Sequence, residues 1–188
     1  MPRLIGQRVM LREYKPDDLS HIRDWVNDAQ TTRYMSTAFW KAQSLADSEE
    51  FLRRMMDGNP NAFYFVIADA ADERYIGQLD LFRVDWRLRQ AELGMVIASE
   101  ADRGGGLGRE ALVLLEGFVF DTLGLERLEL CVYMDNERAL RCYRHAGFSL
   151  EGVKRHAYWA QGRFGDVGIM SVLRGDYDEE RTAQGPTA

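Results

Sequence analysis

The sequence predicts one mixed α/β domain: a largely antiparallel sheet of about seven strands with about four helices. Three observations carry this. The chain has 188 residues, the length of a single domain with a core of its own. Apolar residues recur at helical spacing in separate stretches, whereas other stretches are β-branched and aromatic. Helices divide strands in the middle of the chain, and strands connected by turns lie on both sides.

In order, Val9–Tyr14 reads as a first strand, and Pro16-Asp17-Asp18 opens a helix with Leu19, Ile22, Trp25 and Val26 at helical spacing. Ser44–Met56 reads as a second helix, striped by Leu45, Phe51, Leu52 and Met55 and stopped by Asp57-Gly58-Asn59-Pro60. Ala62–Ala68, Tyr75–Val84 and Ala91–Ile97 read as a meander of three strands. A glycine-rich loop, Glu100–Gly108, precedes an apolar helix from Arg109 to Phe120. Leu128–Tyr133 is a strand, Asn136–His145 a short helix, and Ser149–Leu173 two further strands turning at Gln161-Gly162-Arg163. The domain is read as residues 1–176, and 177–188 as a polar, frayed tail.

Composition excludes several classes. The chain is 46% hydrophobic and 29% charged, too apolar for disorder. Its 24 basic and 30 acidic residues give a net charge of −6, against a general nucleic-acid binder. No apolar run approaches the roughly 18 residues of a membrane span. Charge also interrupts the start before a signal-peptide core forms, so the expected location is the cytoplasm. Cys131 and Cys142 lack the spacing of a zinc or redox pair and read as reduced, packed thiols. His21, His145 and His156 are scattered, so no metal is expected.

Two motifs carry chemistry. Arg103-Gly104-Gly105-Gly106-Leu107-Gly108-Arg109 lies between a predicted strand and a predicted helix. A helix start leaves backbone N–H groups unpaired, and glycine lets them approach an anion closely, so a phosphate or pyrophosphate is the expected ligand. A dinucleotide fingerprint would need glycine at Arg109, and a Walker A loop would need Lys there, so neither fits. The plain alternative is a flexible turn that binds nothing. The second motif, Asn136-x-x-Ala139-x-x-x-Tyr143-x-x-x-Gly147-Phe148, sets its marked positions on one helical face. Asn136 suits the N-cap and Gly147 the C-terminal turn.

Together these motifs resemble those of the GNAT superfamily of acyl-CoA-dependent N-acyltransferases. Arg103-x-x-Gly106-x-Gly108 is similar to its pyrophosphate loop, and the Asn136–Phe148 pattern to its second motif. Arg8-Val9-x-Leu11-Arg12, Gly147-Phe148-x-x-Glu151-Gly152 and Asp166 look like the branch that acetylates ribosomal-protein N-termini or polyamines. The resemblance implies a sheet splayed between the fourth and fifth predicted strands, with acetyl-CoA in the V. Met95, Val96 and Ile97 would pair with the pantetheine arm through their backbone. The amides of Arg103, Gly104, Gly105, Gly106, Leu107, Gly108 and Arg109 would ring the pyrophosphate. Asn136, Ala139 and Tyr143 would flank the thioester.

The implied reaction is direct transfer of acetyl to a primary amine: a protein N-terminus, a polyamine or another small amine. A backbone N–H near Val96 or Ile97 would stabilise the oxyanion. Tyr143 would act as general acid to the departing thiolate; simple aromatic packing is the alternative. Glu92, which shares a strand face with Gly94 and Val96, is the candidate base, and a carboxylate paired with an arginine is its alternative. An acyl-Cys142 route would need a base that the sequence does not place. Arg109, Arg141 and Arg144 would reach the 3′-phosphate of CoA, or are solvated surface. Asp47, Glu49 and Glu50 would attract a cationic acceptor, or are a wet helix face. His156, Tyr158 and Trp159 would wall the acceptor pocket, or pack on one another. A homodimer is a further expectation, with no nucleic acid or membrane as partner. The competing reading is a CoA-binding module without catalysis.

Overall fold

A computed structural model describes residues 3–184. Eight strands form one sheet in the order β1–β2–β3–β4–β5–β6–β8–β7. They are β1 (Leu4–Ile5), β2 (Val9–Arg12), β3 (Phe63–Asp69), β4 (Tyr75–Asp85), β5 (Gln90–Ile97), β6 (Arg127–Tyr133), β7 (Ser149–Ala160) and β8 (Arg163–Leu173). The two-residue β1 is the strand beyond the seven expected. Every neighbouring pair is antiparallel except β5 and β6, which run parallel. The helices are α1 (Asp18–Val26), α2 (Ala29–Thr32), α3 (Leu45–Asp57), α4 (Leu107–Gly117), α5 (Glu137–His145) and α6 (Arg174–Gln184). The described residues include no helix long and apolar enough to cross a membrane.

Strand alternation divides the core into two layers. On one face, Leu79, Leu81, Leu93, Leu128 and Leu130 pack against Leu112, Leu115 and Val119 from α4 and the π-helical turn that extends it. On the other, Met10, Val66, Ala68 and Val96 meet Ile22, Trp25 and Val26 of α1 and Leu52 of α3. A buried ion pair holds α1 to the end of β2: Arg12 donates to both carboxylate oxygens of Asp18, at 2.8 and 2.9 Å. Helix α3 starts in a capping box, with Ser44 and Asp47 each satisfying the other's backbone N–H.

The parallel pair positions the site. Its ladder has three rungs, Gln90↔Arg127, Ala91↔Leu128 and Glu92↔Glu129, and then stops. Beyond Glu92 the strands part, since β5 stays hydrogen-bonded to β4 as far as Ile97 and β6 to β8 as far as Tyr133. This is the splay expected between the fourth and fifth predicted strands.

The C-terminal segment departs from the sequence expectation. Helix α6 continues through the supposed frayed tail to Gln184, and Tyr177 is buried against Phe120, ring centroids 5.0 Å apart. Its hydroxyl donates to Asp121 over 2.9 Å. The ring, the acceptor for its hydroxyl, Arg181 on the same Asp121 at 2.6 Å and Arg174 on the Phe120 carbonyl together dock an otherwise polar helix. Residues 185–188 lie outside the described residues.

Candidate active site

A cleft of about 750 Å³ passes through the V, from the α4 and α5 side of the sheet to the α1–α3 side. Its two arms have different chemistry. In the first, the chain leaves β5, makes a 3₁₀ turn at Glu100–Asp102 and enters α4 through the glycines. Gly104 and Gly106 take left-handed φ of +82° and +86°, where a Cβ is strained. Gly106 is the N-cap of α4 and has no side chain to satisfy the first N–H groups of that helix, which leaves them for an anion. Gly108 lies beside Met95 of β5 and Cys142 of α5, where a Cβ would make ordinary contacts at 3.4 Å to Met95 Cε and 3.6 Å to Cys142 Sγ.

Two arginines brace this loop from behind. Arg103 Nε donates to the Ile97 carbonyl at 2.9 Å, and its Nη2 to the Ala98 carbonyl at 3.0 Å and the Thr31 hydroxyl at 2.6 Å. Arg8 donates to the Gly105 carbonyl at 2.8 Å and pairs with Glu110 at 2.9 Å. The Arg103 side chain is therefore a strut that fixes the loop against β5 and α2. Among the predicted loop residues, Arg103, Gly104, Gly106 and Gly108 line the cleft, whereas Gly105, Leu107 and Arg109 do not. Leu107 packs on the core instead.

The strand amides sort by register. Ala98 N–H donates to the Ile76 carbonyl of β4 at 2.9 Å. Alternation turns the amides of Gly94 and Val96 the same way and leaves those of Met95 and Ile97 facing the open V. Met95 and Ile97 thus offer free N–H groups to an extended ligand. Val96, expected to share that role and to offer an oxyanion donor, spends its amide on β4 and gives the cleft only its side chain.

On α5, the Asn136 side chain accepts from Ala139 N–H at 3.2 Å and caps the helix, as its position predicts. Asn136, Ala139, Cys142 and Tyr143 all line the cleft. Tyr143 is 7% exposed and leans on Phe148 with ring centroids 5.9 Å apart. Among the described residues its hydroxyl has no hydrogen-bond partner. Burial pushes the phenol well above its ordinary range, so it stays protonated. Burial also raises the Cys142 thiol, against a nucleophilic thiolate. Both cysteines are free, but Cys131 is exposed rather than packed and lines the cleft.

Glu92 does not belong to the lining. It stands on the last closed rung of the ladder, opposite Glu129, and pairs with Arg83 at 3.0 Å. The alternation correctly set its face, but not its depth along the V. On the α1–α3 side the carboxyl that does reach the cleft is Asp80 of β4, which the sequence does not reveal. Asp80 faces Gly94 across the β4–β5 ladder, on the same side as Gln78 and Phe82. Tyr14 donates its hydroxyl to Oδ1 at 3.3 Å, and Gln78 Nε2 lies 3.4 Å from Oδ2. Burial of the carboxyl pushes it up to about 7, against the lowering effect of hydrogen bonds from the Phe65 backbone and Tyr14.

Other candidates fall outside. Asp47 is used in the α3 cap, and His156, Tyr158 and Trp159 are not in the lining; His156 and Trp159 pack on Phe164 and Tyr158 on Tyr133. Arg141 lines the cleft and pairs with Glu137 at 3.4 Å. Among the described residues no cluster is suited to hold a metal ion.

Comparison with known proteins identifies the family and the fold. A family model described as an acetyltransferase (GNAT) domain matches residues 8–149. The spermidine N(1)-acetyltransferase of Escherichia coli (strain K12) is 27% identical over 179 residues, covering 95% of this chain and 93% of that protein. A crystal structure of spermidine N-acetyltransferase from Vibrio cholerae, in complex with CoA and spermine, has a TM-score of 0.79 at 25% identity. It covers 92% of this chain and 99% of its own. A GNAT-family acetyltransferase from Bacillus anthracis shares the fold at 15% identity, with a TM-score of 0.80 over 93% of this chain and 99% of its own. The chain belongs to the GNAT acetyltransferase family, and it is an acetyl-CoA-dependent N-acetyltransferase.

Proposed function

We propose that the cleft moves an acetyl group directly from acetyl-CoA to a primary amine within a ternary complex, with Tyr143 as the acid and Asp80 as the base. The observation that carries this is the presence of a protonated, unpartnered phenol and a carboxyl raised to about 7 in one cleft through the V.

Acetyl-CoA supplies an acyl group on a good leaving thiol. The α4 N-terminus and the backbone at Arg103–Gly108 suit its pyrophosphate, and the amides of Met95 and Ile97 suit its extended arm. The Ile97 or Met95 N–H is also the available donor for charge developing on the carbonyl oxygen. An incoming amine is protonated at neutral pH and must lose a proton before it attacks. Asp80, raised to about 7, is available in its ionised form near neutral pH and accepts that proton. Tyr143 then donates to the departing sulfur. The low dielectric that raises the phenol raises the buried thiol as well, so the two remain matched.

The E. coli and V. cholerae relatives are named for spermidine, which brings polyamines forward among the acceptors to test. The test is thiol release from acetyl-CoA with a panel of primary amines. Amine-dependent release at a saturable rate supports the reading; CoA binding with no turnover for any amine would leave a binding module instead.

A further inference from the structure

We infer that the acceptor is a free amine bearing one ammonium group on an aromatic or branched apolar body, rather than a polycation. This rests on the acetyltransferase reading of the same cleft. The arm of the cleft on the α1–α3 side is walled by Tyr34, Met35, Phe39, Phe51, Phe82 and Tyr133. Among the described residues, Asp80 is the only carboxylate that lines it. The cleft's other lining carboxylate, Asp102, lies at the cofactor end and is held by Arg74 at 2.9 Å through both oxygens.

One carboxylate matches one ammonium. A second ammonium on the same flexible chain would sit among rings and neutral polar groups with no lining counter-charge, and burying it there is unfavourable. Ring faces attract cations, but two of these rings are already served. The Arg33 guanidinium lies 5.0 Å from the Tyr34 centroid, and Arg83 lies 5.4 Å from that of Phe82. Each guanidinium already occupies its ring face and is itself paired with a carboxylate, Arg33 with Asp135 at 4.0 Å and Arg83 with Glu92 at 3.0 Å. Nearby Asp135 belongs to an adjoining groove, where Arg163 at 3.4 Å and the Tyr158 hydroxyl at 2.7 Å occupy its carboxylate.

Gly94 completes the shape. A Cβ there would stand 3.0 Å from the Phe82 ring, so the bare backbone lets that ring lie across the strand beside Asp80. The arm therefore presents one acid and an aromatic wall next to each other.

The test compares kcat/KM for 2-phenylethylamine, isopentylamine, putrescine and spermidine with the wild-type enzyme, with CoA binding followed separately by calorimetry. The expected result is a preference of at least about tenfold for 2-phenylethylamine over spermidine. In Met35→Glu, which adds a second carboxylate to the wall, that preference should shrink as the spermidine value rises. Wild-type turnover of spermidine at an equal or higher kcat/KM would overturn the inference and leave acetyl transfer intact. Turnover of none of the four amines would overturn it as well, and loss of CoA binding would remove the reading on which it rests.

Discussion

The Tyr14 hydroxyl donates to Oδ1 of Asp80 over 3.3 Å, joining the segment just beyond β2 to the carboxyl in the cleft. This bond favours the ionised carboxylate, whereas burial favours the neutral acid, and burial dominates. The acidic limb of kcat/KM against pH should therefore fall near pH 7. In Tyr14→Phe the limb should move to higher pH, because the bond that lowers the carboxyl is gone. In Asp80→Asn it should disappear, with the rate at pH 8 down by roughly 10²–10³-fold.

The same carboxyl makes stability depend on pH. Its value is raised from 3.8 to about 7 on folding, so between those limits the folded protein binds a proton that the unfolded chain does not. Stability from this group is present at low pH and is lost as pH rises through 7. Asp80→Asn should raise the urea midpoint relative to wild type at pH 8, and the gain should vanish towards pH 4. An equal difference at both pH values would mean that Asp80 titrates normally.

Gly106→Val places a β-branched residue at φ +86°, with its Cβ 3.3 Å from Arg8 Nη2. The loop should leave the geometry that presents its amides, while the sheet behind it stays folded. Calorimetry should show CoA affinity reduced by tenfold or more, with an unchanged circular dichroism spectrum.

The Arg12–Asp18 pair is buried on both sides, with side chains 3% and 4% exposed. Removing the carboxylate leaves an uncompensated guanidinium under α1. Asp18→Ala should cost about 3–5 kcal/mol in denaturant unfolding, far more than an exposed pair such as Arg53 and Asp57.

Much of the site was legible in the sequence because its signals are local. Gly104 and Gly106 announce left-handed backbone, and the spacing from Asn136 to Tyr143 fixes one helical face. What escaped depends on register between distant strands. Alternation sets Glu92 and Asp80 on the same face of the sheet, but nothing local says that Glu92 meets the last closed rung while Asp80 meets Gly94. The orientation of the Val96 amide is hidden for the same reason, since it follows from pairing with Gln78. Tyr177 was obscured differently: one anchoring ring in a polar segment leaves almost no periodic signal.

Steady-state thiol release by Tyr143→Phe bears most directly on acetyl transfer in the V. The variant keeps the ring against Phe148 and removes only the hydroxyl. With a turned-over amine, kcat should fall by roughly 10²–10³-fold across pH 6–9 while CoA affinity stays within twofold. An unchanged kcat throughout that range would contradict the assignment of the phenol to the departing sulfur.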